Sequence, residues 1–526
     1  MTDKTDTKVI GAKELWDSLG SDHNAPLERA RECAKLTIPA LMPPQGSSDQ
    51  TTFDPPYQSL GARGVNNLTS KLLLALFPPG SSPFRYSLSK ATLAGAGQAQ
   101  SDTSEVEKAL AQRENDIMEL VEASPQRPIL NEYLMHLVVC GNAMLFYPDM
   151  QKMRMYRLDQ YRIRRDGSGA PLDAAVQEKV HPNTLEDGVK TACEVDEKSA
   201  KEVEVYTLIS WRKGKCEYWQ EINGKEVPGS RGSAPAEASP WIPGRWKAVP
   251  GNHYGRGHVE ELLGDLISYE GLSQAIVQFA AVASKIVFLK HPSATTRMED
   301  INNAESGECV TGDKKDIDVL QLEKYADFQV AQRVLENLEQ RLSQAFLLRS
   351  GATRDAERVT AEEIRAIAQE LEDVVGGVYT VQSQELQLPW VNRTILVLEK
   401  AREIAVLPKG TVKPIIVTGF QALGRNHALN KVRGFVQDLS AMLTPQVAVS
   451  LLKGPAIAKR LGVGWGVGEL DELLKTEEEI AAEQQQAQKA AMTQSVIDKA
   501  AGPMAQGIAK GDVELPPEAQ AAMSGM

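Results

Sequence analysis

Residues 349–365 read RSGATRDAERVTAEEIR and join two helical stretches within 327–402. The first stretch starts at Asp327, an N-capping residue type. It places Val330, Val334, Leu338, Leu342 and Ala345 on one helical face. The second starts at Thr360. Thr360 and Glu363 have capping-box spacing, and Val359 and Ile364 have the spacing of a hydrophobic staple. A helix start marked this clearly, directly after a polar loop bearing Gly and Arg, gives the loop a fixed exit. Such a loop projects from its scaffold, and its surroundings must say into what.

Ahead of the first stretch, Tyr254-Gly255-Arg256-Gly257 marks a boundary. Residues 258–284 then carry a helical pattern (Val259, Leu262, Leu263, Leu266, Ile267, Ile276, Phe279). Unbroken, it is roughly 40 Å long, with Gly271 a candidate bend. Residues 286–326 are β-like and turn-rich. The plan is a helix, a small insert and a returning helix. Such a hairpin has little core of its own. Either copies packed side by side bury its apolar faces, or it is an antiparallel pair inside an ordinary domain. After Thr360, Gly376-Gly377 and Pro389 are kink sites.

The first 250 residues read as an α+β domain. Residues 12–36 are helical with a break near Pro26. Residues 57–77 form a helix with a stripe of Tyr57, Leu60, Val65, Leu68, Leu72 and Leu76, stopped by Pro78-Pro79. Residues 82–89 are a strand and 101–123 a charged helix. Residues 128–139 are helical, followed by a turn at Gly141-Asn142 and a strand. Residues 152–245 are short β runs. Downstream, 411–425 hold a short strand and a turn, and 426–445 and 446–461 are helical. Thr476 and Glu479 cap a last helix that runs to about Ala500. The remainder is expected to be disordered.

The 526 residues suffice for two to four domains, and 42% hydrophobic and 24% charged residues are those of a soluble protein. A net charge of −12 argues against a protein whose main task is gripping nucleic acid. Cys33, Cys140, Cys193, Cys216 and Cys309 lack C-x-x-C spacing, so neither a zinc ribbon nor a redox motif is expected, and most should be buried. The polar start MTDKTDTKVIGAKELW suggests no signal peptide, and no apolar run is long enough for a membrane span, so an intracellular soluble protein is expected.

Catalytic motifs are missing. Gly214-Lys215 and Gly224-Lys225 are followed by Cys216 and Glu226, so a P-loop is not formed. GVGWGVG (462–468) follows no strand and reads as a turn. H-E-x-x-H and G-x-S-x-G do not occur. His253 and His258 flank a Gly-rich turn and read as boundary residues. Glu362, Glu363, Glu370, Glu372 and Asp373 read as a solvated helix face. No catalytic residue, metal or cofactor is therefore expected. Arg349, Arg354, Arg358 and Arg365 are more informative. They either pair locally with Asp355 and Glu357, or present guanidinium groups to a polyanion once per subunit, giving weak, salt-dependent attraction.

IPALMPP (38–44), GARGVNNLTSKLLLALFPP (61–79), YGRGHVEELLGDL (254–266), LQLEKYADFQVA (320–331) and ERVTAEEIRAIAQELEDVVGGVYTVQSQELQLP (357–389) are long and specific strings. In them the chain closely resembles the portal, or head-to-tail connector, proteins of short-tailed phages (podoviruses, autographivirus group), from about residue 12 to 431. The resemblance implies a helix-rich α+β portal fold assembled as a ring, of 12 subunits, around a channel. It implies a wing at 1–253, stem helices at 254–284 and 328–348, and a clip at 285–327. It also implies a tunnel loop at 349–359, a long kinked wing helix and following strand at 360–424, and a crown at 425–500. The tail at 501–526 completes the chain.

On the same resemblance, Arg349, Arg354, Arg358 and Arg365 line the channel for double-stranded DNA. Lys290, His291, Arg297, Lys314 and Lys315 in the clip contact the terminase or the tail adaptor. Scaffold and major capsid protein are further partners, and no membrane is involved. The implied place is the unique capsid vertex of a virion, after synthesis in the host cytoplasm. The implied role, packaging and ejection of DNA, needs no enzyme activity. The alternatives are a nuclease or ATPase subunit of packaging machinery, and a filamentous or capsid-lattice protein.

Overall fold

A computed structural model describes residues 11–79 (Asp49 apart), 82–88, 100–196, 202–283, 288–319 (Ala294 apart), 325–348, 377–408 and 412–417, with isolated positions between 436 and 458. The chain divides into two units, Met1–Leu423 and Gly424–Met526. The fold described is that of the first. The helices expected at 426–461 and beyond lie outside the described residues, those isolated positions apart.

Helices α1 (Ala12–Ser18) and α2 (Gly20–Lys35) meet at Leu19, not at Pro26. Arg162 Nη1 donates to the Trp16 carbonyl at 2.6 Å and lies over Gly20, where the break falls. Pro26 sits inside α2, where it removes one backbone bond. Burial of Ala30, Cys33 and Ala34 beyond it keeps the helix continuous. Helix α3 (Leu60–Leu76) begins three residues later than its apolar stripe suggests. Gln58 takes the Gly61 amide on its Oε1 at 2.8 Å and gives its Nε2 to the Leu36 carbonyl. Tyr57 is therefore outside the helix and 52% exposed, not part of the stripe.

Strand β1 (Phe84–Leu88) is followed by α4 (Gln100–Glu122) and α5 (Gln126–Cys140). Helix α5 ends at Gly141, whose φ of 75° is left-handed and which lies against the backbone of Arg256 and Gly257. The strands that follow are β2 (Asn142–Phe146), β3 (Arg154–Tyr156), β4 (Tyr161–Arg165) and β5 (Pro171–Val180). After a short helix α6 (Asp187–Ala192) come β6 (Val203–Arg212), β7 (Lys215–Ile222), β8 (Lys225–Glu226), β9 (Gly232–Pro235) and β10 (Trp241–Arg245). A six-stranded sheet has the order β4-β5-β6-β7-β8, with β9 also on β7, and a second sheet runs β10-β2-β3. All pairs are antiparallel, for example Ala174 opposite Ile209 and Leu208 opposite Trp219.

Next come α7 (His258–Glu261), α8 (Leu263–Ala283), β11 (Phe288–Lys290), α9 (Met298–Asn303), β12 (Ile317–Val319) and α10 (Tyr325–Ala345). The break in the first long helix falls at Leu262, not at Gly271, which is an ordinary position of α8. Helix α9 lies in a stretch expected to hold only strands and turns; at six residues it is too short for periodicity to reveal. Finally α11 (Val378–Gln382), a π-helical turn (Ser383–Gln387) and α12 (Leu388–Ala401) lead to β13 (Val412–Ile416), which pairs with β1. The kink expected at Pro389 is this π turn. Its extra residue per turn accommodates a proline that has no N–H to donate.

The main core is built from α3, α5, β2 and α12: Leu68, Leu72, Leu76, Tyr133, Leu137, Met144, Leu145 and Trp390 are all buried. A smaller core forms where Leu15 and Trp16 of α1 lie on Ala175 and Tyr206 of the sheet. Arg162 stacks 4.1 Å over the Trp16 ring, and Glu221 accepts the first amide of α1, Ala12 N, at 2.6 Å. The fold is mixed helix and sheet.

Two buried polar features set the response of this core to pH and substitution. The first is a charge cluster. Glu385, in the π turn, accepts from the Arg245 backbone N and Nε at 3.0 Å each and from its Nη2, and Arg165 Nη2 lies 3.9 Å away. Both guanidinium groups are buried. We expect Glu385→Gln to destabilise the chain by roughly 3 kcal/mol, because it leaves two buried cations without an anion; chemical denaturation of wild type and variant measures this.

The second feature is a pair of histidines. Burial lowers His136 and His23 to about 4 from 6.5. The unfolded chain binds protons near 6.5 that the folded chain refuses, so their contribution is full above 6.5 and lost as pH falls toward 4. Each accounts for about 3 kcal/mol over that range. The denaturation midpoint should drop between pH 6.5 and 4.5, and drop less in His136→Leu.

Candidate functional site

Helices α8 and α10 form an antiparallel pair. The Phe279 and Phe328 rings stack with centroids 5.1 Å apart near one end, and Asp265 pairs with Arg341 near the other. Asp327 is not the N-cap of α10. The helix starts at Tyr325, which puts Asp327 inside its first turn. Leu338 and Leu342 are buried, whereas Val330 and Val334, read on the same apolar face, are 65% and 44% exposed. On α8, Ile267 and Val277 are also more than half exposed.

The insert is closed by β11 and β12, with Lys290 opposite Ile317. Asp316 ties its turn. It accepts from the Thr295 and Thr296 amides at 3.0 Å and from the Thr296 hydroxyl at 2.7 Å, and the hydroxyl bond is the first cause of its lowered pKa. His291 N donates to the Asp316 carbonyl at 2.9 Å, which brings Lys290 and His291 beside the turn of Lys314 and Lys315. Lys290, His291, Arg297 and Lys315 are exposed; the side chain of Lys314 lies outside the described residues. Arg297 lines a shallow cleft with Asp300 and Asp313. The insert thus mixes both signs of charge.

Arg349, Arg354, Arg358 and Arg365, with the whole of 349–376, lie outside the described residues. The chain on either side is held on one helix, α3. On the N-terminal side, α10 ends in a Schellman arrangement: Leu347 N donates to Gln344 O at 3.1 Å and Leu348 N to Ser343 O at 2.8 Å. The residue in the left-handed position is Leu347, with φ 56°. Glycine usually occupies that place, because an L-residue there costs about 1 kcal/mol. The exposed carbonyls of this helix end each find a donor. Asn67 Nδ2 donates to Phe346 O and Leu347 O, both at 3.0 Å, and Lys71 Nζ donates to Leu347 O at 3.0 Å. His258 Nε2 lies 3.0 Å from Ala345 O, and its ring meets the Phe346 ring edge-on at 5.6 Å. Lys71 is buried along with them.

On the C-terminal side the roles reverse. Tyr379 donates its hydroxyl to Ala75 O at 2.7 Å, and Gln387 donates Nε2 to Leu76 O at 2.6 Å. Those are orphan carbonyls at the end of α3. Trp390 donates to Gln126 at 2.9 Å, and Arg393 donates to the Tyr147 and Pro148 carbonyls.

The sequence reading concentrated on the arginines and passed over the clamp. The signal that could have found it is a lysine, Lys71, on the helical stripe of Leu68, Leu72 and Leu76 and directly before the apolar run 72–77. His253 and His258 are structural: His253 Nδ1 accepts from Arg165 N, and His258 belongs to the clamp. Among the described residues no group of His, Cys, Asp or Glu could hold a metal ion, and no helix is long and apolar enough to cross a membrane. Cys33, Cys140, Cys193 and Cys216 are buried and Cys309 is exposed.

The family model described as bacteriophage head to tail connecting protein matches residues 11–469. The portal protein of Escherichia phage T7 is 39% identical over 530 residues, covering 97% of this chain and 96% of that one. The portal protein of Enterobacteria phage T3 is 38% identical, covering 86% and 87%, and that of Enterobacteria phage SP6 is 32% identical, covering 93% and 95%. The chain belongs to the bacteriophage head to tail connecting protein family. Its relatives are named portal proteins, a structural and non-enzymatic class, so the residues above position and bind; they do not catalyse. Among solved structures, a chain of the neck of an empty GTA particle has a TM-score of 0.37 at 10% identity, covering 77% of this chain and 89% of that one, a likeness too slight to argue from.

The clamp gives a direct expectation. A Cβ on Gly64 would lie 2.5 Å from the Phe346 ring. Gly64→Ala should therefore destabilise the chain by about 1–3 kcal/mol through overpacking. Adding Phe346→Leu should recover part of the loss in thermal unfolding.

Proposed function

We propose that copies of this chain stand side by side in a ring of 12 and form the channel through which double-stranded DNA enters and leaves a capsid. The observation that carries this reading is the helical pair α8 and α10. Leu266, Leu338 and Leu342 are buried at its base, yet it leaves Ile267, Val277, Val330 and Val334 exposed. Apolar side chains of this size gain roughly 1.5–3 kcal/mol each on full burial, and a neighbouring pair would supply it. The pair serves as the stem (254–284 and 328–348), with the clip at 285–327, the wing at 1–253 and 360–424, and the crown at 425–500.

In this reading the segment 349–359 is the tunnel loop, with Arg349, Arg354, Arg358 and Arg365 at or near the narrowest part of the channel. A net charge of −12 repels phosphates over most of the wall, while a few guanidinium groups give transient contact. Lys290, His291, Arg297, Lys314 and Lys315 meet the terminase during packaging and the tail adaptor afterwards. Scaffold and major capsid protein are the assembly partners, at the unique vertex of the virion, after synthesis in the host cytoplasm.

Electron microscopy of the purified protein tests the reading. Wild type should give rings with a central hole. Val330→Asp with Val334→Asp should give a folded species of lower mass, seen by circular dichroism and light scattering. Filaments or sheets of wild type, or rings that survive the double substitution, would count against it.

A further inference from the structure

We propose that Lys71 and Asn67, with His258, are positioning residues that hold the end of α10 in a single conformation and so set where the chain beyond Leu348 departs from the body. Three successive carbonyls, Ala345, Phe346 and Leu347, accept from side chains of two different elements, α7 and α3. Two donors would satisfy a helix end; here Leu347 alone has both Asn67 and Lys71. The ammonium of Lys71 is buried at the negative end of the α10 dipole, where a positive charge is most favourable. Gly64 lets the Phe346 ring approach the α3 backbone closely. The end of α10 therefore cannot slide along α3 without losing these bonds together.

The backbone at this point is also loaded. Leu347 holds a left-handed conformation that favours glycine, and its side chain is buried. The sequence forgoes the relaxed residue at the junction between the helical pair and the body. A strained residue held by a buried cation has one geometry, which makes the junction a rigid root. The inference rests on the channel reading only in its last step, that the root's position matters for DNA passage.

The test uses the assembled protein with Lys71→Met, Asn67→Ala, Leu347→Gly, and Lys71→Met combined with Leu347→Gly. Asn67 is half-buried, so its variant serves if Lys71→Met does not fold. Hydrogen exchange is followed in peptides covering 343–348 and, as reference, 130–139 in α5. We expect exchange at 347–348 to quicken tenfold or more in Lys71→Met and in Asn67→Ala, with α5 unchanged. Glycine at 347 keeps the left-handed turn without strain but deletes a buried side chain, so rescue is read against the Leu347→Gly single variant, and the combined variant should exchange no faster than that single variant. Particles assembled with each variant are then counted as filled or empty. Filling should fall at least fivefold in Lys71→Met and recover in the combined variant.

Unchanged exchange at 347–348, equal loosening of α5, failure of glycine to rescue, or normal filling despite a loosened root would each overturn the proposal. Wild-type particles that never hold DNA would overturn the channel reading, while the exchange result would still decide the root.

Discussion

Backbone carbonyls at helix ends must find donors, and here that requirement ties the structure together. Helix α10 ends with carbonyls that α3 and α7 satisfy, and α3 ends with carbonyls that Tyr379 and Gln387 satisfy. The chain before 349 and the chain after 376 are thus fastened to the same helix. Lys71 and Leu76 are five residues apart, roughly 8 Å along a helix axis. Whatever the intervening segment does, it starts and finishes on one short stretch of α3. GARGVNNLTSKLLLALFPP supplies both fastenings, which gives a physical reason for so specific a string at that point.

The second fastening extends deep into the body. Gln382 donates to the Arg245 carbonyl, and Glu385 gathers Arg245 and Arg165 from two different sheets. The π turn matters here. It offsets the helical register by one residue just where Pro389 would otherwise disrupt it, and it carries Glu385 onto β10. A regular helix through 383–387 would rotate the carboxylate away from the two guanidinium groups. The irregularity and the buried charge cluster therefore depend on each other.

How much of this was legible in the sequence follows from the range of each signal. Period-3.6 apolar patterns revealed α3, α8 and α10, a continuous apolar stretch revealed α5, and alternation revealed β4, β6 and β7, because those patterns are local. Ends were less legible. Pro26 and Asp327 looked like boundary residues by type, and Tyr57 like the first residue of an apolar stripe. Two of the actual boundaries go with long-range bonds, Gln58 reaching the Leu36 carbonyl and Arg162 reaching the Trp16 carbonyl. Leu347 at a left-handed helix end was illegible, since nothing in the local sequence asks for it; the donors that hold it come from residues 67, 71 and 258. The arginines at 349–365 were conspicuous as chemistry, but the donors to the helix end that precedes them come from distant segments.

The exposed valines and the buried clamp belong to one design constraint. A two-helix hairpin with a small insert cannot bury both faces of its helices, and in the proposed ring the exposed apolar residues of its middle would be covered by a neighbour. That openness would leave an isolated hairpin free to pivot. Fixing it at the root, through charged and amide donors that work on backbone carbonyls, removes the pivot without using any of the apolar surface that the neighbour needs. At the far end Asp316 ties the insert's turn in the same way, through backbone amides and hydroxyls. Polar bonds therefore fix the root of the pair and the turn of the insert, and the apolar stretch between them is the surface that the proposed ring would use.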